Sequence, residues 1–168
     1  MTSHTVHIDP ALDLVLERVV DVPPRLVWLA WTEPQHLMQW FTPSPWKTVE
    51  CEIDLRPGGM FRTVMQSPEG ERFPDVGCYL EVVDQRKLAF TSALGPGYRP
   101  KTPVTPPGDA LAFSCVLTLE PEGAGTRYTA IAIHGDPGAK QRHEAMGFHD
   151  GWGKALTQLV DHVKRLGA

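Results

Sequence analysis

Seven histidines, three cysteines and one inward-facing arginine are the residues of this chain that could do chemistry. The histidines stand at His4, His7, His36, His134, His143, His149 and His162. A helical zinc site of the H-E-x-x-H type needs two imidazoles one turn apart, but His143 is followed by Glu144, Ala145, Met146 and Gly147. His143 and His149 lie six residues apart, about 600° around a helix, and do not share a face. No metal site is expected. His149 and Asp150 are the adjacent pair that could act as general acid and base. His134 closes a strand, and His162 reads as solvent-facing. Cys51, Cys78 and Cys115 form no C-x-x-C pair and sit in apolar-alternating segments, which predicts reduced, buried thiols. Ser44, Ser67 and Ser92 lack the G-x-S-x-G context of an activated nucleophile, and no phosphate-binding G-x-x-x-x-G-K-[ST] loop occurs. No cofactor is expected.

Recognition of an apolar molecule is the other chemistry on offer. Trp40, Phe41, Trp46, Phe61, Tyr79, Phe113, Phe148 and Trp152 supply large, rigid contact areas. They form either plain core or the lining of a ligand pocket, because the two share one composition. Tyr79 and Tyr128 carry hydroxyls that could orient a ligand. Arg18 interrupts an apolar strand face and would point inward. A guanidinium there needs a carboxylate or several acceptors. It is either half of a structural ion pair or the anchor for an anion or carbonyl of a ligand, and His149 is a second polar anchor candidate.

Secondary structure must position these groups. Over 12–22, Leu12, Leu14, Leu16, Val20 and Val22 alternate with Asp13, Glu17 and Asp21, the period of a half-buried strand. Pro23-Pro24 ends it and opens a helix over 24–31. Pro34 opens a second helix over 34–40. Strands follow over 48–55, 60–66, 72–83 and 87–94, separated by Pro57-Gly58-Gly59, Ser67-Pro68-Glu69-Gly70 and a short turn over 84–86. Residues 95–108 hold five prolines and read as a long loop, suited to a lid or an oligomer contact. A hairpin over 111–134 leads into one amphipathic helix of about six turns, through Ala145, Phe148, Trp152, Leu156, Leu159, Val163 and Leu166. Gly147, Gly151 and Gly153 mark a kink or close packing in its first half. The order predicts an α+β fold in which an antiparallel sheet of six or seven strands curls around the last helix. The expected organisation is a flexible segment over 1–11 followed by a single domain over 12–168.

The chain has 168 residues, 42% of them hydrophobic and 21% charged, with a formal charge of −4. It carries no cluster of Lys and Arg to neutralise phosphates, so no nucleic-acid partner is expected. No apolar run approaches the ~20 residues of a membrane span. The opening MTSHTVHIDP lacks a basic then apolar stretch, which makes the cytoplasm the expected location.

Four strings carry a resemblance: RVVDVPPRLVWLAWTEPQHLMQWF over 18–41, LRPGGMFRTVM over 55–65, GCYLEVVDQRKLAFT over 77–91 and MGFHDGWGKALTQL over 146–159. In this order they resemble the helix-grip superfamily of START lipid-transfer domains and polyketide cyclases. Within it they resemble the group named for homology to the activator of the heat-shock-protein-90 ATPase. The resemblance implies a long C-terminal helix gripped by an antiparallel sheet. It also implies an apolar or aromatic ligand held between the two, in a non-enzymatic binder or, alternatively, a cyclase- or hydrolase-like enzyme. A third reading is an interaction module of the chaperone-activator kind. A chaperone partner is not expected, because the further domain that touches the chaperone in the eukaryotic activator finds no counterpart here. A homodimer is the default assembly.

Overall fold

We describe residues 6–102 and 112–166 of a computed structural model of the chain. Residues 103–108 of the proline-rich loop expected over 95–108 therefore lie outside the described residues, as does part of the 1–11 segment.

The first strand, β1 (Asp13–Val20), is entered through a turn in which the Asp13 carboxylate accepts from Asp9 N–H at 2.8 Å. Alternation directs Leu14, Leu16, Arg18 and Val20 inward. Pro23 stops the strand, and α1 (Pro24–Thr32) starts on a proline whose missing N–H costs nothing at a helix start. It buries Val27, Trp28, Ala30 and Trp31. The short helix α2 (Pro34–Leu37) also begins on proline. It ends three residues earlier than the sequence pattern suggests, and Trp40 follows in a turn.

Four antiparallel strands come next: β2 (Lys47–Ile53), β3 (Met60–Gln66), β4 (Arg72–Val83) and β5 (Lys87–Thr91). The register slips between Thr48 and Glu50 and between Tyr79 and Glu81, so Val49 and Leu80 are extra residues in their strands. Bulges of this kind bend and twist a sheet locally. Leu94–Gly95 and Arg99–Pro100 form a two-residue ladder, β6 and β7, around a tight turn at 96–98. This part of the expected lid is tied to the sheet: Gly97 N–H donates to Gly58 O at 2.8 Å, and Lys101 Nζ donates to Val76 O.

The hairpin β8 (Phe113–Glu122) and β9 (Gly125–His134) completes the sheet, whose order is β1-β9-β8-β5-β4-β3-β2. The first strand thus lies beside the last, with Asp13 opposite Ile133 and Val20 opposite Thr126.

The terminal helix is two helices. α3 (Pro137–Ala145) is capped by the Asp136 carboxylate, which accepts from Ala139 N–H at 2.8 Å. α4 (Phe148–Leu166) follows after Gly147, whose φ of 92° no helix continues through. The long amphipathic helix expected through Ala145 to Leu166 is α4, and only its start is corrected: Gly147, noted as a kink, is a full break that leaves Ala145 in α3. Phe148, Ala155, Leu156, Leu159 and Val163 of α4 are buried, and Asp150, Lys154, Thr157, Asp161 and Lys164 are exposed. Beneath it, the small side chains of Ala130 and Ala132 on β9 are fully buried. No described helix is long and apolar enough to cross a membrane.

Candidate functional site

Apart from Trp46, the aromatic residues singled out in the sequence divide into two clusters under α4. In the larger, Trp31 meets Trp40 edge-on at 5.0 Å between ring centroids. Phe41, Phe61, Phe90 and Tyr79 continue it, with Phe61 stacked on Tyr79 at 5.3 Å and edge-on to Phe90 at 4.9 Å. The buried indoles are satisfied: Trp40 Nε1 donates to Ala30 O at 3.0 Å, and Trp31 Nε1 donates to Tyr128 Oη at 3.2 Å. The smaller cluster gathers Leu14, Ala132 and Phe148, with Phe113 and Trp152 packed against it. Phe148 and Trp152 lie 4.6 Å apart. Rings therefore occupy much of the space in which the sequence suggested a hollow.

The two clusters meet at Leu16 and Trp152, which pack against both. Around this junction the inward-facing residues Leu16, Phe41, Phe90, Phe113 and Trp152 are only half-buried, whereas their neighbours Leu14, Trp40, Leu88, Cys115 and Leu156 are buried. Water therefore reaches apolar side chains that a closed core would cover. Leu16 and Phe90 are the residues that sequence reasoning did not single out as ligand contacts. Strand alternation places both inward, but their exposure depends on where α4 crosses the sheet.

Arg18 stands two residues from Leu16 on the same face. Its Nη1 donates to Thr157 Oγ1 at 3.0 Å and to Gly153 O at 3.4 Å. A Cβ built on Gly153 would lie 3.1 Å from Arg18 Nη2, so the glycine makes room for the guanidinium. No carboxylate pairs with Arg18 among the described residues. The structural ion pair considered from the sequence is corrected to a contact with the helix backbone and a hydroxyl.

Tyr79 lies deeper, against Phe61 and Phe90. Its hydroxyl is buried and meets no hydrogen-bonding partner among the described residues. Burial, with a smaller contribution from Cys51, pushes its pKa well above the ordinary tyrosine value, so it is a proton donor and never a phenolate near neutrality. An unpaired buried hydroxyl costs stability. Tyr79→Phe is therefore expected to raise stability by about 1 kcal/mol in urea denaturation; a loss of similar size would show that the hydroxyl is held.

Other candidates fall elsewhere. Trp46 meets Phe73 in a tilted contact, 5.4 Å between ring centroids, on the outside of the molecule, and is 38% exposed. His149 and Asp150 occupy the solvent face at the start of α4, where His149 Nε2 lies 3.6 Å from Glu144. The structure does not bring them to the junction. A separate open groove of about 290 Å³ is lined by Val19, Val20, Asp21, Glu122, Ala124 and Gly125 and holds none of the candidate residues. Burial raises the Cys51 thiol to about 11 and the Cys115 thiol to about 12, so neither is a ready nucleophile. The described residues contain no cluster of three or more potential metal ligands.

Two histidine pairs escaped the sequence reading. His134 Nδ1 lies 2.7 Å from Leu12 O, a carbonyl that only accepts, so that nitrogen carries the proton. With that proton on Nδ1, His134 accepts at Nε2 from His143 Nδ1–H, 2.9 Å away. This pair pins α3 to the sheet. His36 and His162 meet at 3.1 Å and join α2 to α4, which corrects the solvent-facing reading of His162. Burial, then the neighbouring His134, lowers the His143 pKa from 6.5 to about 4. Between these values the unfolded chain binds a proton that the folded chain refuses. The stability conferred by neutral His143 is thus complete above pH 6.5 and is lost as pH falls toward 4. Melting temperatures measured from pH 7 to pH 4 are expected to fall more steeply for the wild type than for His143→Gln; parallel profiles would refute the linkage.

A seven-stranded antiparallel sheet packed around one long C-terminal helix, with two short helices after the first strand, defines a helix-grip protein. The family model of the Activator of Hsp90 ATPase homolog 1-like proteins matches residues 21–164, and the chain belongs to this family. A crystal structure of a protein from Nitrosomonas europaea is 49% identical, with a TM-score of 0.89 over 95% of this chain and 99% of that one. A solution structure from Arthrobacter aurescens shares the fold at 22% identity and a TM-score of 0.78, covering 98% and 93% of the two chains. So does an AHSA1-like protein from Aeromonas hydrophila, at 20% identity and a TM-score of 0.66, covering 93% and 94%. No curated protein is similar enough to match.

Proposed function

We propose that the protein binds an apolar, aromatic small molecule between the sheet and α4, where the two ring clusters meet. The observation that carries this reading is the half-burial of Leu16, Phe41, Phe90, Phe113 and Trp152, all directed inward beside fully buried neighbours. A planar ligand seated there removes apolar surface from water on both its faces, at roughly 25 cal/mol per Å². Rings already in place lose little freedom on binding, and such preorganisation favours affinity. The unpartnered Tyr79 hydroxyl, beyond Phe90, offers a donor to a ligand carbonyl or hydroxyl. Membership of a family with a ligand-binding type of fold supports the same reading. The cyclase- or hydrolase-like alternative has no comparable support, because His149 and Asp150 lie on the solvent face.

The test is titration of ¹⁵N-labelled protein with 2-naphthamide, a neutral two-ring probe, and with 1-decanol as an aliphatic control. The Trp152 indole signal is expected to shift with the naphthamide, while those of Trp31 and Trp40, held by internal hydrogen bonds, move less. Absence of saturable shifts at Trp152 with either probe would reject the site.

A further inference from the structure

We infer that the ligand of this site is an apolar acid, and that Arg18 receives its carboxylate; the inference rests on the binding site proposed above. Arg18 points inward from β1 next to Leu16, and its tip touches Gly153, the residue after Trp152. The guanidinium therefore borders the junction at which the apolar walls are half-exposed.

Its hydrogen bonds are unevenly used. Nη1 is occupied by Thr157 Oγ1 and Gly153 O. Thr157 Oγ1 itself donates to Gly153 O at 3.1 Å, so the helix turn that receives Nη1 is already fixed. Among the described residues no acceptor meets Nε or Nη2. These two atoms form the side-on fork that matches a carboxylate bidentately. The remaining donors and the full positive charge are thus presented beside an apolar surface, with one edge of the group held in place.

Arg18 is only partly buried, so the arrangement does not have to neutralise a charge sealed in the core. The polar group facing it across the ladder is Tyr128, whose burial keeps it protonated. The carboxylates of Glu17 and Asp21 are engaged by Arg127 and Lys164, at 2.6 and 2.7 Å, and do not compete for Arg18. A chain with a formal charge of −4 gives anions no general attraction, so selectivity for an acid has to arise locally. Gly153 is part of that design: a side chain there would press on Nη2.

The experiment compares 2-naphthoate with 2-naphthamide, which have the same rings and differ in the charge of the head group. Dissociation constants are measured by calorimetry on the wild type, Arg18→Gln and Arg18→Lys. The wild type is expected to bind the naphthoate on the order of tenfold tighter than the amide. Arg18→Gln is expected to abolish that preference while amide binding persists. Arg18→Lys, which keeps the charge without the fork, is expected to restore part of it. Equal affinity of the wild type for the two probes would overturn the acid inference and leave the apolar site standing. A preference that survives Arg18→Gln unchanged would overturn the role of Arg18. Failure of the wild type to bind either probe would overturn both the inference and the proposed site. Should Arg18→Gln not fold, the wild-type comparison and Arg18→Lys still decide the question.

Discussion

Gly59→Ala is expected to destabilise the protein by more than the ~1–3 kcal/mol of ordinary overpacking, read as a shift of the urea midpoint with an unchanged slope. A Cβ built at Gly59 would stand 1.9 Å from Asp54 O and 2.9 Å from Arg56 O, both backbone atoms that no rotamer change can move. The turn cannot open without loss. Gly59 N–H donates to Arg56 O at 2.8 Å, Gly59 O accepts from Tyr79 N–H at 3.0 Å, and neighbouring Gly58 N–H donates to Tyr79 O at 2.8 Å. The substitution therefore strains the turn and loosens the backbone that holds Tyr79 at the base of the ring cluster. A midpoint within experimental error of the wild type would show that the close approach is not real.

Phe61→Ala is the second large effect, with an expected loss of about 3–5 kcal/mol. The ring is buried and touches Phe41, Tyr79 and Phe90 at centroid distances of 5.8, 5.3 and 4.9 Å. It is wedged between the β3 backbone and three other rings, so the neighbours have little room to collapse into its place. Deletion leaves a cavity against the face of the Tyr79 ring. The variant is accordingly expected to lose stability in denaturant while gaining space for a larger probe. A loss below about 1 kcal/mol would mean that the aromatic cluster is loosely packed.

Much of the architecture was legible because strand periodicity is a strong local signal. The span 72–83 is the strand β4 as read, and the inward direction of Arg18 followed from its place among Leu14, Leu16 and Val20. Family resemblance supplied the topology, which alternation alone cannot. The bulges at Val49 and Leu80 were not legible, since an extra residue in a strand leaves no mark in composition. The phase of the last helix was legible, since Phe148, Leu156, Leu159 and Val163 of the expected stripe are its buried face. Its start was not, because the break at Gly147 leaves Ala145 in the preceding helix, and His149, next to Phe148, falls on the solvent side. The histidine pairs depend on contacts between residues 9 and 126 positions apart, which no single-sequence pattern encodes. Among the pocket candidates, residue type could not separate Trp152, half-exposed at the junction, from Phe61, sealed in the cluster, because their burial is decided by the crossing of α4.

The adjacency of β1 and β9 has a consequence for how the molecule is made. Every ladder partner of β1 lies more than a hundred residues further along the chain. At ~5–20 residues per second, a ribosome delivers that partner on the order of ten seconds after β1 itself. During that interval Leu14, Leu16 and Val20 have no native neighbour to pair with, and closing so long a loop is entropically slow even afterwards. The N-terminal edge is thus the last seam to be sewn, and a nascent chain halted before Gly125 holds an orphan strand in search of any other sheet.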